Sequence, residues 1–144
     1  MKIFAFDIGD RWTGVAVSDP DALFARPYTT IETKDLIAFI AEELAKEQLK
    51  TMVVGYPQTL RGTESEQTRK TVDLVKELER EFPAIEWILW DERLTSRQAQ
   101  TISKKGSKNI QAQKEEKLKE HARAAAFILM SYLERLQFQK SSHY

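Results

Sequence analysis

Apolar and polar positions alternate from Lys2 to Ile8 (KIFAFDI) and again from Trp12 to Ser18 (WTGVAVS), the period-two pattern of half-buried strands. Gly9 and Asp10 between them carry turn chemistry, so residues 2–18 read as an antiparallel hairpin. Pro27 to Ile31 reads as a weaker third strand. From Asp35 to Glu47 the period lengthens: Leu36, Ile37, Ile40 and Leu44 fall on one face of an amphipathic helix. Thr51 to Val54 (TMVV) is a short buried-type strand expected to end at Gly55, followed by a loop with Pro57 and Gly62. A helix from about Glu64 to Glu81 presents Thr68, Val72, Val75 and Leu78 on one side, with Pro83 beyond its end. Glu86 to Trp90 (EWILW) is the next strand. Thr95 and Ser96 are placed to cap a helix ending near Gly106. A last helix over roughly Lys114 to Leu136 carries the stripe Leu118, Ala122, Ala125, Leu129, Tyr132 and Leu136.

Strands separated by helices of this length pair in parallel, whereas the opening hairpin is antiparallel. The pattern therefore predicts an α/β protein: a mixed sheet, N-terminal antiparallel hairpin first and parallel strands after, with helices on both faces. Residues 1–137 read as one domain and 138–144 as a tail.

Composition narrows the partners. The 144 residues hold 22 Lys+Arg against 22 Asp+Glu, a net charge of zero that excludes binding by bulk basicity but leaves room for a local patch. With no cysteine, disulfides, thiolate metal sites and thiol nucleophiles are excluded. The longest apolar run, Ala124 to Met130, is far short of the roughly 18 residues that cross a membrane. No secretory leader pattern opens the chain, so a cytoplasmic protein with no membrane partner is expected.

Acids stand at two strand ends: Asp7 at the first, Asp91 and Glu92 at the last. Ligands of open α/β sheets bind outside the carboxyl ends of strands. Carboxylates gathered there repel each other, and a hard divalent cation such as Mg²⁺ or Mn²⁺ relieves the repulsion. Such an ion polarises a phosphoryl oxygen and activates water, the chemistry of phosphodiester hydrolysis. Ordinary turn acids would give the same spacing. In DIGDRWTG, Gly9 and Gly14 permit close approach of a backbone phosphate and Arg11 is placed to hold it; a plain hairpin turn is the competing reading. Gly14 inside a strand points to a bulge or a close approach.

Four blocks, FDIGDRWTGVAVSDP, VVGYPQTLRG with Gln67 after it, DERLTS at Asp91 to Ser96, and AAAFILMSYL in the last helix, together resemble the YqgF family. This is an RNase H-like group of Holliday-junction-resolvase-like proteins and pre-16S rRNA nucleases. The blocks occur in the family's order from residue 3 to about 133. The resemblance implies an RNase H-like fold and a divalent-metal nuclease, with Mg²⁺ or Mn²⁺ as cofactor, that matures the 5′ end of 16S rRNA. It places the first catalytic and metal-binding acid on Asp7 and the strand-end acid on Glu92, with Asp91 beside it. Alternation along a strand lets only one of that pair face the site, and Glu92 is the expected one. The third family acid falls on His121, where an Asp is expected. His121 lies four residues before Ala125 on the apolar side of its helix. It reads either as a third ligand or base with a preference for Mn²⁺, or as a packed histidine in a weakened site.

Ser103 to Lys119 carries Lys104, Lys105, Lys108, Lys114, Lys117 and Lys119 against Glu115 and Glu116, a local excess of four positive charges. Arg11, Arg93, Lys104, Lys105 and Lys108 are the candidate nucleic-acid contacts; a solvated lysine-rich loop explains the same charges. Of Trp12, Trp87 and Trp90, strand aromatics usually pack in cores, and Trp12, near the hairpin turn, is the one placed to stack on a base. The implied partner is structured RNA, or branched DNA in a resolvase, with ribosome assembly factors as candidates to deliver the RNA. A resolvase cutting two symmetric strands requires a homodimer. A non-catalytic RNA-binding module draws support from His121. A sugar-kinase or chaperone-type ATPase shares the D-x-G-x-x-x-x-G hairpin but clamps nucleotide between two such domains.

Overall fold

The computed structural model describes residues 1–56, 66–92 and 110–141. Within them the elements are β1 (Phe4–Ile8), β2 (Trp12–Ser18), β3 (Ala25–Glu32), α1 (Leu36–Lys46), β4 (Thr51–Tyr56), α2 (Glu66–Glu81), β5 (Glu86–Asp91) and α3 (Ile110–Ser141). A single 3₁₀ turn at Thr33–Asp35 leads into α1. The strands form one sheet in the order β3-β2-β1-β4-β5. β1 pairs antiparallel with β2, and β2 antiparallel with β3. β1 pairs parallel with β4, and β4 parallel with β5. The mixed sheet expected from the order of periods is the sheet that forms.

Alternation of side chains separates two cores. Phe4, Phe6, Ile8, Val15, Val17, Met52 and Val54 point to the face covered by α1 and α2, where they meet Leu36, Ile40, Val75 and Leu78. Ala5, Ala16 and Val53 point the other way and pack on Ala125, Ala126, Ile128, Leu129 and Leu133 of α3. The first face is built of large side chains; in the second, alanines of β1, β2 and α3 alternate with larger residues. Small residues on both partners let the long helix lie close to the sheet.

Several boundaries differ from the sequence expectation: β1 opens at Phe4, and β3 is longer, at Ala25–Glu32. β4 runs through Gly55 to Tyr56, because Gly55 and Tyr56 still pair with Trp90 and Asp91 of β5. α3 begins at Ile110 and continues to Ser141, since no glycine or proline interrupts that span. The Thr95–Gly106 helix and the Pro57–Gly62 loop lie outside the described residues. Trp87 and Trp90 are core aromatics, as expected of strand positions. No helix among the described residues is long and apolar enough to cross a membrane.

A carboxyl pair at the candidate active site

Asp7 shares its parity with Ala5, so its side chain leaves β1 on the α3 face. Its partner across the hairpin is Gly14. A Cβ built at Gly14 would overlap the backbone carbonyl of His121 and crowd the amide of Ala122. The missing side chain is therefore what lets α3 touch β2, and the contact fixes His121 beside Asp7. The close approach expected at Gly14 is to a helix backbone of the chain itself.

Glu92 follows directly on β5 and continues the set Ile88–Trp90 that packs toward α3. A Cβ at Gly55 would stand 2.8 Å from Glu92 Oε1 and 2.5 Å from Ile128 Cδ1. Gly55 thus clears the space through which the Glu92 carboxyl reaches across β4. There it hydrogen-bonds the carboxyl of Asp7. Two acids from distant parts of the chain thus meet, close enough to share a proton, in a half-buried site. Loss of hydration raises both, as does the mutual repulsion in the case of Glu92. Burial, the Asp7 charge, the hydrogen bond to Asp7 and the nearby Asp91 charge hold Glu92 at about 8. Asp7 is also raised, chiefly by burial, against the hydrogen bond from Glu92 and the attraction of His121, which both favour its ionised form.

The hairpin tip next to Asp7 is braced from outside. Thr33 Oγ1 donates to the carbonyl of Gly9 at 2.7 Å and shares a hydrogen bond with Thr13 Oγ1 at 2.9 Å. The Thr33 amide donates to the carbonyl of Arg11 at 2.8 Å. From α2, Gln67 Nε2 donates to the carbonyl of Ile8 at 3.2 Å, and Lys70 Nζ lies 3.3 Å from Asp10 Oδ1. Arg11 extends over the Trp12 ring, 5.1 Å from its centroid.

Of the residues singled out in the sequence, Asp7, Glu92 and His121 come together, and Arg11 lies at the adjoining turn. Arg93, Lys104, Lys105 and Lys108 lie outside the described residues. Among the described residues no three His, Asp or Glu side chains are gathered closely enough to hold a metal ion as they stand. The donor chemistry of the pair nevertheless suits a hard divalent cation: two half-buried carboxyl groups, both raised and within hydrogen-bond reach of each other. Sequence reasoning missed Gly55 and Thr33. A glycine within an apolar strand was the available signal for Gly55; nothing in the sequence marked Thr33 as the brace of a turn more than twenty residues away.

One long helix on a five-stranded mixed sheet, with an antiparallel hairpin first and parallel strands after, is the fold of RNase H-like nucleases. Solved structures share the fold. Thermus thermophilus RuvC aligns over 96% of this chain and 97% of its own with a TM-score of 0.59 at 15% identity. The Fowlpox virus resolvase, solved with Holliday junction DNA, aligns over 94% and 99% with a TM-score of 0.56 at 14% identity. The family model RuvX, described as Holliday junction resolvase, matches residues 1–135, and the chain belongs to that family. Among curated relatives, a Sulfurihydrogenibium protein is 38% identical over 98% of this chain and 95% of its own length. One from Rubrobacter xylanophilus is 35% identical over 92% of each. Both bear the name "Putative pre-16S rRNA nuclease".

Proposed function

We propose that this protein hydrolyses phosphodiester bonds of structured RNA in the cytoplasm, maturing the 5′ end of 16S rRNA from its precursor. The observation that carries the reading is the hydrogen-bonded Asp7–Glu92 pair, whose Glu92 is held at about 8. A group so far from its ordinary value, paired with a second acid at strand ends, is a candidate for chemistry rather than structure. Asp7 and Glu92 would hold a Mg²⁺ or Mn²⁺ ion, which when bound supplies Lewis-acid activation of the phosphoryl oxygen and of water. Asp7, on the central strand, fixes one oxygen against the rigid hairpin. Glu92, reaching past Gly55, would release its proton to solvent on binding the ion and hold it as a second carboxylate. His121 attracts the Asp7 carboxylate and stands ready as a third ligand or as a base. Arg11 is positioned to hold a flanking phosphate, and Arg93, Lys104, Lys105 and Lys108 would extend that contact along the RNA.

The test is cleavage of a precursor-rRNA fragment by purified protein with Mg²⁺ or Mn²⁺, run beside Asp7→Asn. Cleavage lost in Asp7→Asn supports the reading; cleavage that survives assigns the activity to a contaminant. His121→Asp in a Mn²⁺ titration tests the third position, and unchanged metal affinity and rate would remove His121 from the site. A second reading, DNA junction resolution, is favoured by the description of the family. It calls for a two-fold dimer, so a monomer that ignores a four-way DNA junction sets it aside.

A further inference from the structure

Of the three tryptophans, Trp12 is the one that neither core absorbs. Trp87 packs with the α1–α2 core and donates its indole N–H to the carbonyl of Phe82 at 3.4 Å. Trp90 meets Tyr132 edge-on at 5.5 Å and donates to Ser131 Oγ at 3.1 Å. Trp12 belongs to neither cluster and is partly exposed. It opens β2 with the parity of Gly14 and Ala16, so its ring leaves the sheet on the α3 face, the face of Asp7. Gly14 pairs with Asp7, which makes Trp12 its diagonal neighbour across the hairpin, about 7–8 Å away between backbones. The exposed Arg11 guanidinium lies over the ring at 5.1 Å. The hydrogen bonds of Thr33 to Gly9 and Arg11 hold this turn in place.

A flat π-surface, a cation beside it and a braced turn, on the strand next to the one that carries Asp7, form a recognisable set. We propose that Trp12 and Arg11 form a subsite for one unpaired nucleotide flanking the scissile phosphate, the indole stacking on its base and the guanidinium pairing with its phosphate. The inference rests on the nuclease reading above. Stacking of this kind tolerates any base, because every base offers a π-face, so the subsite selects for an unpaired nucleotide rather than for a sequence. A nuclease trimming the end of a folded RNA needs that distinction: a base held in a duplex cannot reach the indole.

The test separates binding from chemistry. In an Asp7→Asn background with Mg²⁺, affinity is measured by fluorescence anisotropy for a labelled, unstructured oligoribonucleotide of about ten nucleotides. A series of the same oligomer carries one abasic nucleotide, moved a position at a time. Trp12→Ala should raise Kd about five- to a hundredfold, and Trp12→Phe by less than about threefold. At one position of the abasic series, Trp12→Ala should add no further loss. Arg11→Gln should flatten the dependence of log K on log salt by about 0.7. Trp12→Leu keeps apolar bulk without the aromatic face and should bind as poorly as Trp12→Ala, which keeps the test valid if the alanine variant folds badly. Kd values within twofold of the parent for both Trp12→Ala and Trp12→Leu would overturn the subsite, and so would an abasic series with no such position. Neither result touches the catalytic reading, which fails separately if Asp7→Asn cleaves like the native protein.

Discussion

Replacing Glu92 with glutamine should make the metal-free protein more stable at alkaline pH while abolishing cleavage. The native pair is uncomfortable without a cation. Glu92 sits at about 8 in the folded chain against 4.5 for an ordinary glutamate. A folded-state value above the unfolded one means the folded protein binds more protons, so stability falls as pH rises between the two values. At 1.36 kcal/mol per pH unit the rise corresponds to about 5 kcal/mol as an upper limit. Glu92 is only half-buried, and solvent screening brings the expected contribution to about 2 kcal/mol. Asp7 is raised as well and adds in the same direction. The side-chain amide introduced by Glu92→Gln still donates to the Asp7 carboxylate but carries no charge to repel it.

Urea or thermal unfolding in EDTA at intervals from pH 5 to pH 9 reads the difference. Near pH 5 the two proteins should match; by pH 8.5 Glu92→Gln should lead by about 2 kcal/mol, about 8 °C in Tm for a chain of this length. Mn²⁺ should then restore the native protein far more at pH 8.5 than at pH 5, because the ion displaces a proton at the lower pH. Parallel stability curves for the two proteins across the whole range would refute the shared-proton description of the pair.

Gly14→Ala sets a Cβ against the His121 backbone, which cannot rotate away, so unfolding free energy should drop by about 1–3 kcal/mol in urea titration as α3 is displaced. Gly55→Ala meets only the movable ends of Ile128 and Glu92; stability measured in the same way should fall by less than about 1.5 kcal/mol, while Mn²⁺ affinity by calorimetry falls more steeply, since Glu92 is pushed off its position. Thr33→Val removes the hydrogen bonds to Gly9 and Thr13 and should cost about 1–2 kcal/mol, with amide exchange in residues 9–12 speeding up. Leu129→Ala opens a cavity beneath α3 at a fully buried position and should cost about 2–5 kcal/mol by denaturation.

The period of the apolar pattern was enough to read the sheet because each strand is locally consistent with it. Ala5, Ala16 and Val53 fall on one face, and Phe4, Phe6 and Val54 on the other, whatever the distant chain does. Asp7 and the Asp91–Glu92 step stood out as strand-end acids, and alternation admits only one of the latter two to the α3 face; the choice of Glu92 came from the resemblance. What the pattern does not hold is the depth of approach between layers. Gly55 looked like the end of a strand because glycine stops strands locally; its role appears only when Ile128 and Glu92 arrive from elsewhere in the chain. Thr33 is invisible for a similar reason, since its contacts to Gly9, Arg11 and Thr13 depend on how β3 returns along β2.

His121 acquires its meaning from the same geometry. A third carboxylate placed over Gly14 would add one more negative charge to two acids that already cannot both ionise comfortably. An imidazole there does the opposite, since His121 favours the ionised form of Asp7. On the proposed reading, a histidine at this position would trade attraction for a cation against comfort in its absence: the metal-free pair would be less strained, and the pull on a divalent ion weaker. Nitrogen is also a poorer ligand for Mg²⁺ than for the softer Mn²⁺. A site with this trio should discriminate between the two ions more sharply than one built from three carboxylates, and should tolerate longer periods without either.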